Sequence, residues 1–161
     1  MVMSSWGDGG MSLLIKSGKQ EGHFSKELVD AFVEMITIHW KPEPKPTWIT
    51  CVPSLRRTQL VKKFAQSVAE SMNLPFVSCI SKVRETQPQK RMNNSFQQIR
   101  NLEEAFIIDN NHLIKNEPVF LIDDMVDSRW TFTILAALLQ SAGSGPVYPC
   151  ALTDTQGKDT Q

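Results

Sequence analysis

Apolar residues recur at helical spacing in three stretches of the chain and as short continuous runs in four others. From Lys26 to Trp40, the side chains of Leu28, Phe32, Met35, Ile36 and Trp40 share one face, and Ser25 stands where a helix N-cap hydroxyl is wanted. From Leu60 to Met72, the residues Leu60, Val61, Phe64, Val68 and Met72 repeat that pattern. A third helix is predicted from about Thr131 to Ala142, around the apolar run Ile134 to Leu139. The runs 47–52, 74–80, 118–122 and 147–152 are apolar and short, as buried strands are.

Breakers separate these pieces. The segment "KPEPKP", Lys41 to Pro46, carries prolines at alternate positions and predicts a stiff, extended connector. Gly143 to Pro146 reads as a turn. Residues 81–100 lose apolar content and predict a flexible loop with a short helix on which Met92 and Phe96 pack. Residues 1–24, with "WGDGG" at Trp6 to Gly10, are expected to be an irregular lead-in, and 153–161 a polar tail. This leaves one domain over 1–152. Strands alternating with helices imply parallel pairing through right-handed crossovers, hence a three-layer α/β domain with a mainly parallel sheet.

Composition narrows the class. A chain of 161 residues suits one domain, and its 17 basic and 17 acidic residues cancel, so overall charge selects no partner. Cys51, Cys79 and Cys150 are odd in number and lack the C-x-x-C spacing, which predicts reduced, apolar cysteines in an intracellular protein. His23, His39 and His112 are too scattered to suggest a metal or catalytic group, and Trp6, Trp40 and Trp48 read as packing residues. The N-terminal run Leu13 to Ile15 is too short for a signal-peptide core, and no apolar run approaches the roughly 20 residues of a membrane span. The expectation is a cytoplasmic protein without a membrane partner.

The chemistry concentrates at one junction, "VFLIDDMVDSRWT", Val119 to Thr131. Four apolar residues lead into Asp123 and Asp124, and Asp127, Ser128 and Thr131 then line a polar bend that opens a helix. A helix N-terminus offers free N–H groups to phosphate, while paired carboxylates accept hydrogen bonds from vicinal hydroxyls. Ribose 5-phosphate has both features. In a parallel sheet ligands bind at the carboxyl ends of strands, where Val52-Pro53-Ser54 also falls.

These thirteen residues resemble the phosphoribosyl pyrophosphate (PRPP) signature of the type I phosphoribosyltransferases. The resemblance implies that Asp123 and Asp124 hold the ribose and assist magnesium through the ligand, with no direct metal site. It implies that Asp127 handles a proton of the incoming base and that Ser128, Arg129, Trp130 and Thr131 form the 5-phosphate loop. The family has glycine where Arg129 stands and a small residue or lysine where Trp130 stands; Arg129 could grip phosphate, and Trp130 could stack on the ligand or plug its pocket. By the same resemblance Pro53, Ser54, Leu55 and Arg56 form a pyrophosphate loop, with Arg56 or Arg57 meeting its charge, and Lys82 and Arg84 belong to a catalytic hood.

The stretch from Ser81 to Phe106 is similar to the flexible loop of the ComF-type branch. From Lys82 to Arg100 it holds Lys82, Arg84, Lys90, Arg91 and Arg100 against Glu85 alone. "WGDGG", "TWITCVPSLRR", "PQKRMNNSFQQIRN" and "DDMVDSRWTFT" together resemble the phosphoribosyltransferase-like region C-terminal to some bacterial RecQ-family DNA helicases. The chain carries neither a Gly-x-x-x-x-Gly-Lys-Ser/Thr loop nor an Asp-Glu-x-His box, so no helicase or ATPase motif accompanies it. Two readings follow: a phosphoribosyltransferase using PRPP and Mg2+, or a noncatalytic nucleotide- or DNA-binding module serving a helicase in DNA metabolism. A homodimer is expected by analogy.

Overall fold

The structure is a computed structural model that describes residues 1–5, 10–56, 58–84, 100, 103–126 and 129–154. Four parallel strands form its central sheet in the order β1-β6-β5-β2, where β1 is Val2–Ser5, β2 Trp48–Cys51, β5 Val119–Val126 and β6 Val147–Asp154. The two remaining strands, β3 (Ile80–Lys82) and β4 (Phe106–Ile108), pair antiparallel in a separate ribbon.

Alternation along the central strands builds two cores. Phe120 and Ile122 face one side with Ile49, Cys51, Cys150 and Leu152, under α1 (Met11–Glu21), α2 (Lys26–Glu34) and α3 (Leu60–Met72). Val119 and Leu121 face the other with Trp48, under α4 (Trp130–Ser141) and the β3–β4 ribbon. The expected three-layer α/β architecture is therefore present. Ser25 caps α2, accepting from the Leu28 N–H at 3.3 Å, and the helix continues as a π-helix over Met35–Trp40. Trp48 is fully buried and donates its indole N–H to the Glu117 carbonyl at 3.1 Å, while Trp40 packs on Phe120 and Tyr148. The three cysteines are free and buried. Among the described residues, no helix is long and apolar enough to cross a membrane.

Four expectations need correction. Residues 1–24 are not an irregular lead-in, because Val2–Ser5 pairs with β6 and Met11–Glu21 is helical, with Ile15 fully buried and Met11 and Leu14 packed beside it. Gly22 ends that helix at φ +77, a left-handed turn that glycine adopts without a Cβ penalty. The strand expected over 74–80 is reduced to a parallel bridge between Phe76 and Ile49, after which the chain leaves the sheet to form β3. The final strand runs on to Asp154 with Thr153 fully buried, so the polar tail does not begin at 153. The fourth concerns β5, which continues past Ile122 to Val126 because β6 stays alongside it, whereas β2 stops at Cys51. Asp123 and Asp124 thus lie within a strand that has lost its neighbour on one side. Of the predicted loop, Ser81 and Lys82 belong to β3; its further part, with Met92 and Phe96, lies outside the described residues, as do Trp6 and Arg57.

Candidate functional site

Where β2 ends and β5 continues, a cleft of about 440 Å³ opens, lined by Val52, Pro53, Ser54, Arg56, Val61, Lys82, Phe106, Asp123, Asp124, Met125 and Thr131. Separate stretches of sequence meet there: the segment after β2, the first turn of α3, both strands of the β3–β4 ribbon, the end of β5 and the first turn of α4. The Val52 N–H donates to the Ile122 carbonyl at 2.9 Å, which ties the segment after β2 to β5 just before the acidic pair.

The two aspartates have different surroundings. The Asp124 N–H donates to Asp123 Oδ1 at 2.7 Å, and the Asp124 carboxylate lies 3.0 Å from Lys19 Nζ of α1. Period-two alternation puts Asp124 on the side of Phe120 and Ile122, the side α1 covers, which is why a helix residue reaches it. Asp123 is half-buried, and that burial, reinforced by the Asp124 carboxylate, pushes its carboxyl well above the ordinary carboxylate range. The Asp124 N–H and Lys19 act in the opposite direction and do not overcome it. The cleft therefore presents one carboxylate with a fixed counter-cation beside one that holds its proton more readily.

Cations face them. Arg56 is exposed on the segment after β2, and Lys82 reaches in from β3 with its Nζ 5.8 Å from the centroid of the Phe106 ring, a cation–π placement that orients the stem. Thr131 comes from the first turn of α4, whose N-terminus carries no side-chain cap among the described residues. Among the described residues no three His, Cys, Asp or Glu side chains gather around a metal position. Two adjacent carboxylates are hard oxygen donors, too few to enclose magnesium yet suited to one that brings ligand oxygens with it.

Of the site residues expected from sequence, Asp123, Asp124, Pro53, Ser54, Arg56, Lys82 and Thr131 come together. Leu55 lines an adjoining recess of about 250 Å³ that shares Pro53, Ser54 and Lys82 with the cleft. Arg84 does not reach the cleft; its guanidinium lies 2.6 Å from Glu104 in an exposed ion pair. Arg129 and Trp130 also depart from expectation. Arg129 is exposed and lines a different cavity of about 770 Å³ with Met3, Trp40, Phe132 and Pro149, while Trp130 is partly buried and packs against the second core. The backbone at Arg129 is right-handed, at φ −69 and ψ −8, so this position makes no demand for glycine. Asp127 and Ser128 lie outside the described residues. Sequence reading missed Lys19 altogether; the signal available was its position four residues after the buried Ile15 on an amphipathic α1.

No protein-family model matches the chain, and no curated protein matches its sequence. Solved structures do. Adenine phosphoribosyltransferase from Saccharomyces cerevisiae, complexed with D-2,5-dideoxy-2,5-imino-altritol 1,6-bisphosphate and adenine, superposes with a TM-score of 0.55 at 16% identity, over 81% of this chain and 70% of that one. The enzyme of the same name from Leishmania donovani gives 0.55 at 14% identity, over 99% and 89%. Glutamine PRPP amidotransferase from B. subtilis, complexed with ADP and GMP, gives 0.51 at 18%, over 78% of this chain and 25% of that one. At such identities the likeness is one of fold: the parallel central sheet and its layers are those of the type I phosphoribosyltransferases.

Proposed function

We propose that the cleft binds the ribose 5-phosphate portion of PRPP or of a nucleotide. The observation that carries this reading is the convergence of Asp123, Asp124, Arg56, Lys82 and Thr131 from four stretches of chain on one cleft. The paired carboxylates accept from two vicinal hydroxyls, the first turn of α4 receives the 5-phosphate, and Arg56 and Lys82 of the same cleft receive a diphosphate. Asp127 and Ser128 belong to the same proposal, as the base-proton acceptor and a member of the phosphate loop.

In the catalytic form of this reading, a nitrogen of the acceptor base bonds to the anomeric carbon as the bond to the diphosphate oxygen breaks. Diphosphate leaves with the electron pair, and the nitrogen's proton passes to Asp127. Magnesium bound with the diphosphate would neutralise leaving-group charge; the chain itself would hold the sugar at Asp123 and Asp124 and receive diphosphate at Arg56 and Lys82. The noncatalytic alternative, a DNA-binding module of ComF-type or RecQ-associated kind, would run a phosphate track over Arg56, Lys82 and Arg84. Arg84 is instead paired with Glu104, an arrangement that favours a small anion held between Arg56 and Lys82. A homodimer is part of the proposal and is checked by sedimentation.

Calorimetric titration with PRPP and magnesium, with ribose 5-phosphate and with AMP tests the reading. Saturable binding of PRPP, strengthened by magnesium, supports it. Failure of all three ligands to bind, alongside salt-sensitive binding of single-stranded DNA, would replace it by the DNA-contacting module.

A further inference from the structure

Lys19 stands apart from the residues that line the cleft, yet it is bound to one of them. It sits on α1 directly after Gly18, whose lack of a side chain lets the helix approach the turn that follows; a Cβ there would lie 2.9 Å from the His23 carbonyl oxygen and overlap the Phe24 ring. From that position the Lys19 side chain, 12% exposed, extends to Asp124 Oδ2 at 3.0 Å, and the Asp124 side chain is 17% exposed. Lysine is rarely covered to this degree unless paired, because removing an ammonium from water costs more than ordinary packing returns. A surface ion pair between two mobile side chains would carry little meaning. Here both partners are mostly covered, and the pair joins an N-terminal helix to the one part of β5 that faces the cleft.

The geometry also separates the two oxygens of Asp124. Oδ2 is engaged by Lys19, which is not among the cleft-lining residues, while Asp124 itself lines the cleft beside Asp123, whose Oδ1 already receives the Asp124 backbone N–H. The Asp124 carboxylate, tied at Oδ2 to a mostly covered lysine, has lost part of its rotational freedom. A carboxylate that must meet a sugar hydroxyl gains from that restriction, since ordering it at the moment of binding would cost affinity.

We propose that Lys19 is a positioning residue of the cleft, fixing Asp124 so that its remaining oxygen receives a ribose hydroxyl. The proposal rests on the ribose-phosphate reading given above and deepens it. Lys19 touches no ligand; it acts through Asp124, so its effect on binding vanishes when Asp124 no longer carries a carboxylate.

A double-mutant cycle on the full chain tests this, with PRPP and magnesium as the calorimetric probe. Lys19→Met is expected to weaken binding about tenfold, and Lys19→Arg, which keeps a cation, to recover most of that loss. In an Asp124→Asn background, Lys19→Met should change affinity by no more than about twofold. That comparison stands even if Lys19→Met alone fails to fold with Asp124 stranded, because the double variant removes both charges together. Wild-type affinity in a folded Lys19→Met, or a further tenfold loss in the Asp124→Asn background, would overturn the positioning role while leaving the cleft reading intact. Absence of binding to the wild-type chain would instead remove the cleft reading, and this proposal with it.

Discussion

Replacing Asp123 by asparagine should make the protein more stable as pH rises, while removing part of its site. Burial, and then the neighbouring Asp124 carboxylate, raise the Asp123 carboxyl well above its ordinary range. In the unfolded chain the same group titrates at about 3.9. Between the unfolded and folded values, the native state holds a proton that the unfolded chain has released. Stability from this group is therefore fully present below the unfolded value and is lost as pH rises through the folded one. Asparagine has the shape of the protonated acid and keeps an oxygen for the Asp124 N–H, which donates to Asp123 Oδ1 at 2.7 Å in the native protein. The difference in unfolding free energy between Asp123→Asn and wild type should then grow in the variant's favour by up to about 1.4 kcal/mol per pH unit inside that window, and level off above it. Urea denaturation at a series of pH values, with equal m-values confirming a common unfolded state, measures this directly. Parallel stability profiles for the two proteins would refute the argument. So would a wild type that gains on the variant with rising pH, since that would mean Lys19 and the Asp124 N–H dominate the environment of Asp123.

The remaining predictions concern individual placements. Arg56→Ala and Lys82→Ala should each weaken PRPP binding by roughly 10- to 150-fold, the range expected for a lost charged hydrogen bond, whereas Arg84→Ala, which breaks an exposed pair with Glu104, should cost at most about 1 kcal/mol of stability and leave affinity nearly unchanged; equal losses across the three would point to an extended phosphate track. Arg129→Gly should leave ribose 5-phosphate affinity within about twofold, as for an ordinary surface change, because Arg129 lines the other cavity; a larger loss in titration would return it to the phosphate loop. Gly18→Ala should destabilise the fold by about 1–3 kcal/mol in denaturant, through the clash with the His23 carbonyl and the Phe24 ring.

Of the helices over the first core, α2 and α3 were legible because their apolar residues repeat at 3.6 and their ends carry recognisable signals, as at Ser25 and at the breaks after Trp40 and Met72. The strands β2 and β5 were legible because a strand buried on both faces is a continuous apolar run. The N-terminal strand and α1 were not, since Val2–Ser5 has too few apolar residues to announce a strand and takes its pairing from β6, which lies far away in sequence. The antiparallel ribbon was missed for the same reason: Ile80–Lys82 and Phe106–Ile108 are three residues each and are strands only in each other's company. At the site, the acidic pair and the segment after β2 could be read from the strand-end rule, and the cleft gathers both. The roles of Arg129 and Trp130 could not, because adjacency to a motif in sequence does not fix direction. A helix begins at Trp130, and its turn carries Arg129 toward the β1 edge and Trp130 against the core while leaving Thr131 on the cleft.

The most direct test of the central claim is a crystal structure of the chain grown with PRPP and magnesium. The account predicts ligand density in the cleft between β5 and the segment after β2, with the ribose hydroxyls in hydrogen-bond reach of Asp123 and Asp124 and the 5-phosphate against the turn before Thr131. Density in the larger cavity beside Arg129 and Trp40, with the Lys19–Asp124 pair intact and no ligand at the acidic pair, would contradict it.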